Sequence, residues 1–170
     1  MFQGLHRHLS EEAILLDLDD YLEIPEDIDE LSARQKIAFK KSVLNILVKL
    51  FDKSGHIVNP SKCLTDLVNR EAKATTGLGM GFAMPHVRTM QAREMVMAVM
   101  RSDQGLYFNS LDDEPVHVFV GIICPPYEDK LYLKVISTLS KLVQSGELFE
   151  MVQWAETPAQ VMGSFCRARV

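Results

Sequence analysis

Two stretches limit the fold before anything else is considered. Residues 94–102 read EMVMAVMRS and residues 115–124 read PVHVFVGIIC. Both are apolar almost throughout, and the second is rich in Val and Ile, the β-branched residues that suit a pleated surface. Each is short and closed by turn or charged residues, which reads as a buried strand rather than a helix. Pro125 and Pro126 end the second. Buried strands need covering layers, and helical patterns alternate with them along the chain. The expected class is therefore α/β: a central mixed β-sheet flanked by helices on both faces.

The helical segments carry their own punctuation. ARQKIAFKKSVLNILVKLFDKSG, from about Ala33, places Leu44, Leu47, Val48 and Phe51 at helical spacing and stops at Gly55. NPSKCLTDLVNRE opens on an N-cap asparagine, Asn59, followed by Pro60. A third helix is expected from about Tyr127 to Ser145, with Leu131, Val135, Leu139 and Leu142 on one face, and GELFEMVQWA reads as a short fourth. Thr157-Pro158 repeats the cap-then-proline signal before AQVMGSFCRA. Near the start, Ile14–Leu18 suits a first strand or a short helix, and PEDIDELSA a polar surface connection. No repeat or interdomain linker breaks the 170 residues, so one domain, 1–170, is expected.

Composition excludes several classes. The net charge of -5 argues against nucleic acid as the main partner, because phosphate backbones demand clustered Lys and Arg. No apolar run is long enough to span a bilayer, so no membrane insertion is expected. MFQGLHRHLSEEAILL lacks a basic segment followed by an apolar one, so no secretory signal is expected and the compartment is taken as cytoplasmic. Cys63, Cys124 and Cys166 are odd in number and far apart, reading as reduced, buried thiols.

The unusual segment is TTGLGMGFAMPHVRT, residues 75–89. It carries neither GxGxxG nor GxxxxGK[ST], which argues against a nucleotide cradle. The five histidines and three cysteines are not spaced as ligand pairs, so neither a metal nor another cofactor is expected. His6 and His8 are expected to be solvated, His56 to sit in a turn, and His117 to be a strand histidine satisfied by a neighbour. His86 differs, because Pro85 restrains the backbone that leads to it. Gly77, Gly79 and Gly81 permit close approach of another molecule. By residue type the stretch is either a glycine-rich bend ending at an incidental histidine or a presented imidazole. A neutral imidazole can attack a phosphoryl group to form a phosphoramidate.

Taken together, Arg70-Glu71, Thr76-Gly77, Gly79, Gly81 and Pro85-His86 resemble the IIA domain of the bacterial phosphotransferase system, mannitol/fructose type, which includes the nitrogen-regulatory IIA proteins. The likeness runs from Lys40 to His86, is most specific between Arg70 and His86, and continues more weakly to about Phe165. Residues 21–34 look like an acidic insertion. The resemblance implies that fold, and a phosphoryl group accepted on Nε2 of His86 from the phosphocarrier HPr or a paralogue. It implies that Arg70 offsets the phosphoryl charge, and that Thr76, Gly77, Gly79, Gly81 and Pro85 shape the pocket and clear an approach for a partner. Lys130 stands where family members often carry a second histidine, and is implied to assist. A IIB domain or a regulatory target would receive the group or read the phosphorylation state. No IIB or membrane IIC segment stands within these residues, which favours a stand-alone regulatory member. A non-catalytic interaction module on the same fold is the alternative, and a small-molecule site on the glycine loop a weaker one.

Overall fold

The computed structural model describes residues 4–168. A six-stranded mixed sheet forms its centre, with strands β1 (Ile14–Leu15), β2 (Gly77–Gly79), β3 (Phe82–Ala83), β4 (His86–Arg88), β5 (Val96–Leu106) and β6 (Val116–Cys124). The order is β1-β5-β6-β3-β2, and β4 continues the β3 edge alongside β6. β5 and β6 are antiparallel, whereas β1 on β5, and β3 and β4 on β6, are parallel. These are the two apolar runs, and they lie at the middle of the sheet.

Consecutive residues Met97–Met100 and Val118–Val120 are fully buried, so both faces of the sheet are covered. Five helices do this: α1 (Ala33–Asp52), α2 (Pro60–Lys73), α3 (Asp129–Gln144), α4 (Glu147–Gln153) and α5 (Pro158–Arg167). The expected caps form. Asn59 accepts the Lys62 N–H at 3.0 Å and Thr157 accepts that of Gln160 at 3.3 Å. Ser32 and Gln35 add a reciprocal capping box at the start of α1. The stretch 22–32 before it carries no helix or strand.

α1 lies so close to β6 that a Cβ built on Gly121 would fall 2.5 Å from Leu47 Cδ2. Gly121→Val should therefore overpack this contact and lower stability by about 1–3 kcal/mol, read from a denaturant midpoint. An unchanged midpoint would show that α1 can move off the sheet freely.

Three expectations need correction. The glycine stretch is not simply a bend ending at a histidine. It forms β2, β3 and β4, each three residues or fewer, which alternation within so short a run cannot reveal. His6 and His8 are not on a solvated tail. Buried Leu5 and Leu9 pin a 3-10 turn, Leu5–His8, and leave both imidazoles half-buried. Cys63 and Cys124 are buried, but Cys166 is exposed on α5. The Ile14–Leu18 segment is divided, with two residues of β1 and then a 3-10 turn, Leu18–Tyr21.

Candidate functional site

β4 sets the site. Pairing His86 with Ile122 and Arg88 with Cys124 holds the strand against β6. In a strand alternate side chains share a face, so Val87 turns into the core while His86 and Arg88 turn outward. The N–H of Ile122 donates to the Pro85 carbonyl at 2.9 Å, which fixes the residue before His86. Proline suits this place, since an edge can spare its amide donor.

The His86 ring is half-buried, and both nitrogens have partners. Nδ1 lies 2.7 Å from the Met84 carbonyl. That oxygen only accepts, so Nδ1 carries the proton and Nε2 keeps its lone pair. Nη2 of Arg70 donates toward Nε2 at 3.1 Å. Arg70 belongs to the last turn of α2, and its Nη1 also donates to the Ala74 carbonyl at 3.0 Å, closing that helix end. Burial, above all, pushes the His86 pKa below its ordinary 6.5; the Met84 hydrogen bond raises it, Arg70 lowers it and Glu71 raises it. The neutral ring therefore dominates at pH 7.

A proton NMR titration of His86 should accordingly show a midpoint below 6.5, moving upward in Arg70→Ala; a midpoint at or above 6.5 in the wild type would contradict this geometry. The sign for stability follows. The unfolded ring binds its proton more readily, so stability from this group is complete above pH 6.5 and declines as pH falls through 6.5 toward the folded value.

Beneath Arg70 lies a buried carboxylate. Glu71 is only 7% exposed. Its Oε1 accepts from Lys40 Nζ at 2.8 Å and from the Thr76 N–H at 2.9 Å, and its Oε2 from Thr76 Oγ1 at 2.5 Å. The end of α2 is thus tied to α1 and to the start of β2. Sequence reading gave Glu71 no role of its own. The available signal is its spacing: Cys63, Leu67 and Glu71 form the buried stripe of α2, four residues apart.

The other candidates divide. Thr76 reaches the site through Glu71. Gly77, Gly79 and Gly81 belong to the β2–β3 hairpin, whose turn has Gly79, Met80 and Gly81 at positive φ. A Cβ on Gly77 would meet Ser110, one on Gly79 Asp112, and one on Gly81 Phe149 and His117. These glycines fit the hairpin against its neighbours, and no described contact joins them to His86. Lys130 is exposed on the first turn of α3, and no described hydrogen bond, ion pair or ring contact links it to His86. Tyr132 occupies that side instead, its ring centroid 6.1 Å from that of His86 at 53°. Arg88 donates to Asp129 Oδ1, and its Cζ lies 5.5 Å from the Tyr132 ring. His117 is satisfied within the fold, its Nδ1 3.1 Å from the Ser102 carbonyl.

Arg70 and Tyr132, the two side chains beside the ring, also line a groove of about 680 Å³ together with Lys73, Arg88 and Asp66; His86 itself is not in that lining. Arg70, Lys73 and Arg88 are cationic and Asp66 is acidic, so the groove carries a positive excess. Among the described residues no helix is long and apolar enough to cross a membrane.

A neutral imidazole with Nε2 unprotonated, a guanidinium donating to that nitrogen and a groove with a positive excess beside that guanidinium suit phosphoryl chemistry. The comparisons agree. The family model described as "Phosphoenolpyruvate-dependent sugar phosphotransferase system, EIIA 2" matches residues 27–165. The fructose-specific EIIA component of Haloferax volcanii is 28% identical over 134 residues, 79% of this chain and 87% of that one. The match to the fructose-specific EIIABC component of Bacillus subtilis, 30% identical over 118 residues, covers 69% of this chain but only 19% of that longer protein. Nitrogen regulatory protein IIA-Ntr of Neisseria meningitidis superposes with a TM-score of 0.77, covering 95% of this chain and 98% of that one at 20% identity. Mannitol enzyme IIA of Escherichia coli, solved in complex with phosphorylated enzyme IIB, gives a TM-score of 0.67 over 94% and 97% at 15% identity, a likeness of fold. With a family model spanning most of its length, and with that fold, the chain belongs to the EIIA 2 family of the phosphoenolpyruvate-dependent sugar phosphotransferase system.

Proposed function

We propose that the protein is a phosphoryl carrier that accepts its group on Nε2 of His86. One observation carries the reading: Nδ1–H is anchored on the Met84 carbonyl, leaving Nε2 unprotonated and facing Arg70. The donor expected of the family is a phosphohistidine on HPr or a paralogue. The Nε2 lone pair attacks phosphorus and the new N–P bond forms as the donor's N–P bond breaks. That bond's electron pair returns to the donor imidazole. His86 keeps its Nδ1 proton, and the Met84 carbonyl stabilises the positive character the ring gains. For that attack Arg70 releases Nε2 as the donor approaches and passes to a phosphoryl oxygen, a charge-assisted bond of the stronger kind. The onward receiver is a IIB domain, in line with the complex formed by the mannitol relative, or a regulatory target.

Incubation with phosphoenolpyruvate, enzyme I and HPr should place one acid-labile, base-stable phosphate on the protein; no incorporation under conditions that label a known IIA protein would overturn the proposal.

A second reading, an interaction module whose docking does not depend on phosphorylation, is favoured by the absence of any described contact from Lys130 to His86. Pull-downs with wild type, His86→Ala and His86→Asp separate the two. Identical partners and affinities for all three support the module; differences support the carrier.

A further inference from the structure

We infer that Arg88 is a second phosphoryl-binding cation, held in reserve by Asp129, and that its move from Asp129 to the phosphoryl group carries the state of His86 to the first turn of α3. The inference rests on His86 being the acceptor.

The placement begins with β4. His86 and Arg88 are two residues apart on one face of a strand, so their Cα atoms are about 7 Å from each other. An arginine side chain spans such a gap. At rest it does not, because its guanidinium is engaged by Asp129, the first residue of α3. Tyr132 neighbours both groups, with the His86 ring 6.1 Å from its centroid and the Arg88 Cζ 5.5 Å from it. Arg70 and Arg88 line the same groove. Both guanidiniums also act on the Tyr132 phenol, lowering a pKa that burial has raised.

Energetics favour the exchange. The Arg88 and Asp129 side chains are 48% and 61% exposed, so their ion pair contributes little and is easily broken. A phosphoryl group brings about -1.5 to -2 charge and three acceptor oxygens. Arg70 cannot satisfy all of them while its Nη1 holds the Ala74 carbonyl. The more highly charged group therefore outcompetes the single Asp129 carboxylate for a guanidinium fork. Leaving Asp129 uncovered changes the charge at the start of α3, next to Pro126 on the groove rim. A docking protein meets that surface, so it can distinguish the phosphorylated form from the free one.

The test labels wild type, Arg88→Ala, Arg88→Lys and Asp129→Asn with phosphoramidate, a small donor that needs no docking partner. Two quantities are read: the lifetime of the phosphohistidine and the pH titration of its phosphorus-31 resonance. Both altered side chains are exposed, so folding should be retained. Losing a hydrogen bond to a charged group should shorten the lifetime about tenfold in Arg88→Ala and raise the phosphoryl titration midpoint. Arg88→Lys should recover part of both. Asp129→Asn, which frees Arg88, should lengthen the lifetime and lower the midpoint. A label on His86 with the same lifetime and titration in all four proteins would overturn this inference alone. Failure of the wild type to label on His86 would overturn it together with the carrier reading.

Discussion

Phosphoryl incorporation is expected to vanish in His86→Ala and to slow about 10²- to 10³-fold in Arg70→Ala, the usual effect of removing one preorganised donor from a developing anion. The first result follows from chemistry: among the described residues no other imidazole has an arginine hydrogen-bonded to its ring nitrogen. His117 is bound within the sheet, and His56 lies 3.8 Å from a glutamate at the far end of α1's turn. The second follows from the two uses of Arg70. Before transfer it polarises and orients Nε2; afterwards it faces the phosphoryl oxygens. Alanine removes both, and also the closure on Ala74. Arg70→Lys should recover little of the rate, because a single ammonium cannot hold the carbonyl and the ring nitrogen together as the guanidinium fork does. Initial rates with HPr as donor measure this. A rate in Arg70→Ala within threefold of wild type would remove Arg70 from the chemistry.

Glu71→Ala should be the most damaging structural change near the site, lowering stability by about 3–5 kcal/mol, because it leaves a buried partner charge uncompensated. Lys40 would lose its carboxylate at 2.8 Å with its side chain only 14% exposed, keeping just the Phe108 ring, 4.6 Å from its ammonium. The amide and hydroxyl of Thr76 would lose their acceptor as well. For a chain of this size the melting temperature should fall by about 6–20 °C. The loss should reach function, since the same carboxylate ties the end of α2, and with it Arg70, to the strand hairpin. Glu71→Gln keeps an acceptor for Thr76 but not the charge, and should fall between. A melting temperature unchanged in Glu71→Ala would show that Lys40 reaches solvent without cost.

How much of this was legible in the residues depends on the range of the interactions. Caps are local, so Asn59-Pro60 and Thr157-Pro158 mark the starts of α2 and α5 in the sequence itself. The two central strands are self-declaring because they are buried on both faces. The strands that carry the site are not. β3 and β4 exist only because β6 offers its edge to Phe82–Ala83 and His86–Arg88, residues more than thirty positions away. Nothing inside Met-Pro-His-Val-Arg states that pairing.

The resemblance drew attention to His86 and Arg70, and the fold brings their side chains together. It also drew attention to Lys130, which sits two positions from Tyr132. On a helix that is a rotation of about 200°, so the two point to different sides, and only the packing of α3 decides which one faces the imidazole. The glycines mislead for a related reason. Residues that permit close approach were read as admitting a partner, whereas Ser110, Asp112 and Phe149 from the same chain occupy the space. Glu71 was legible in part, since it continues an apolar stripe, but its lysine partner lies on another helix.

The account's central claim concerns one nitrogen, and long-range proton–nitrogen correlation NMR of the His86 ring tests it most directly. Before phosphorylation at pH 7 the account predicts a neutral ring protonated on Nδ1, and after phosphorylation a nitrogen–phosphorus coupling on Nε2. A resting ring protonated on Nε2, or phosphorus bound to Nδ1 or to another residue, would contradict it.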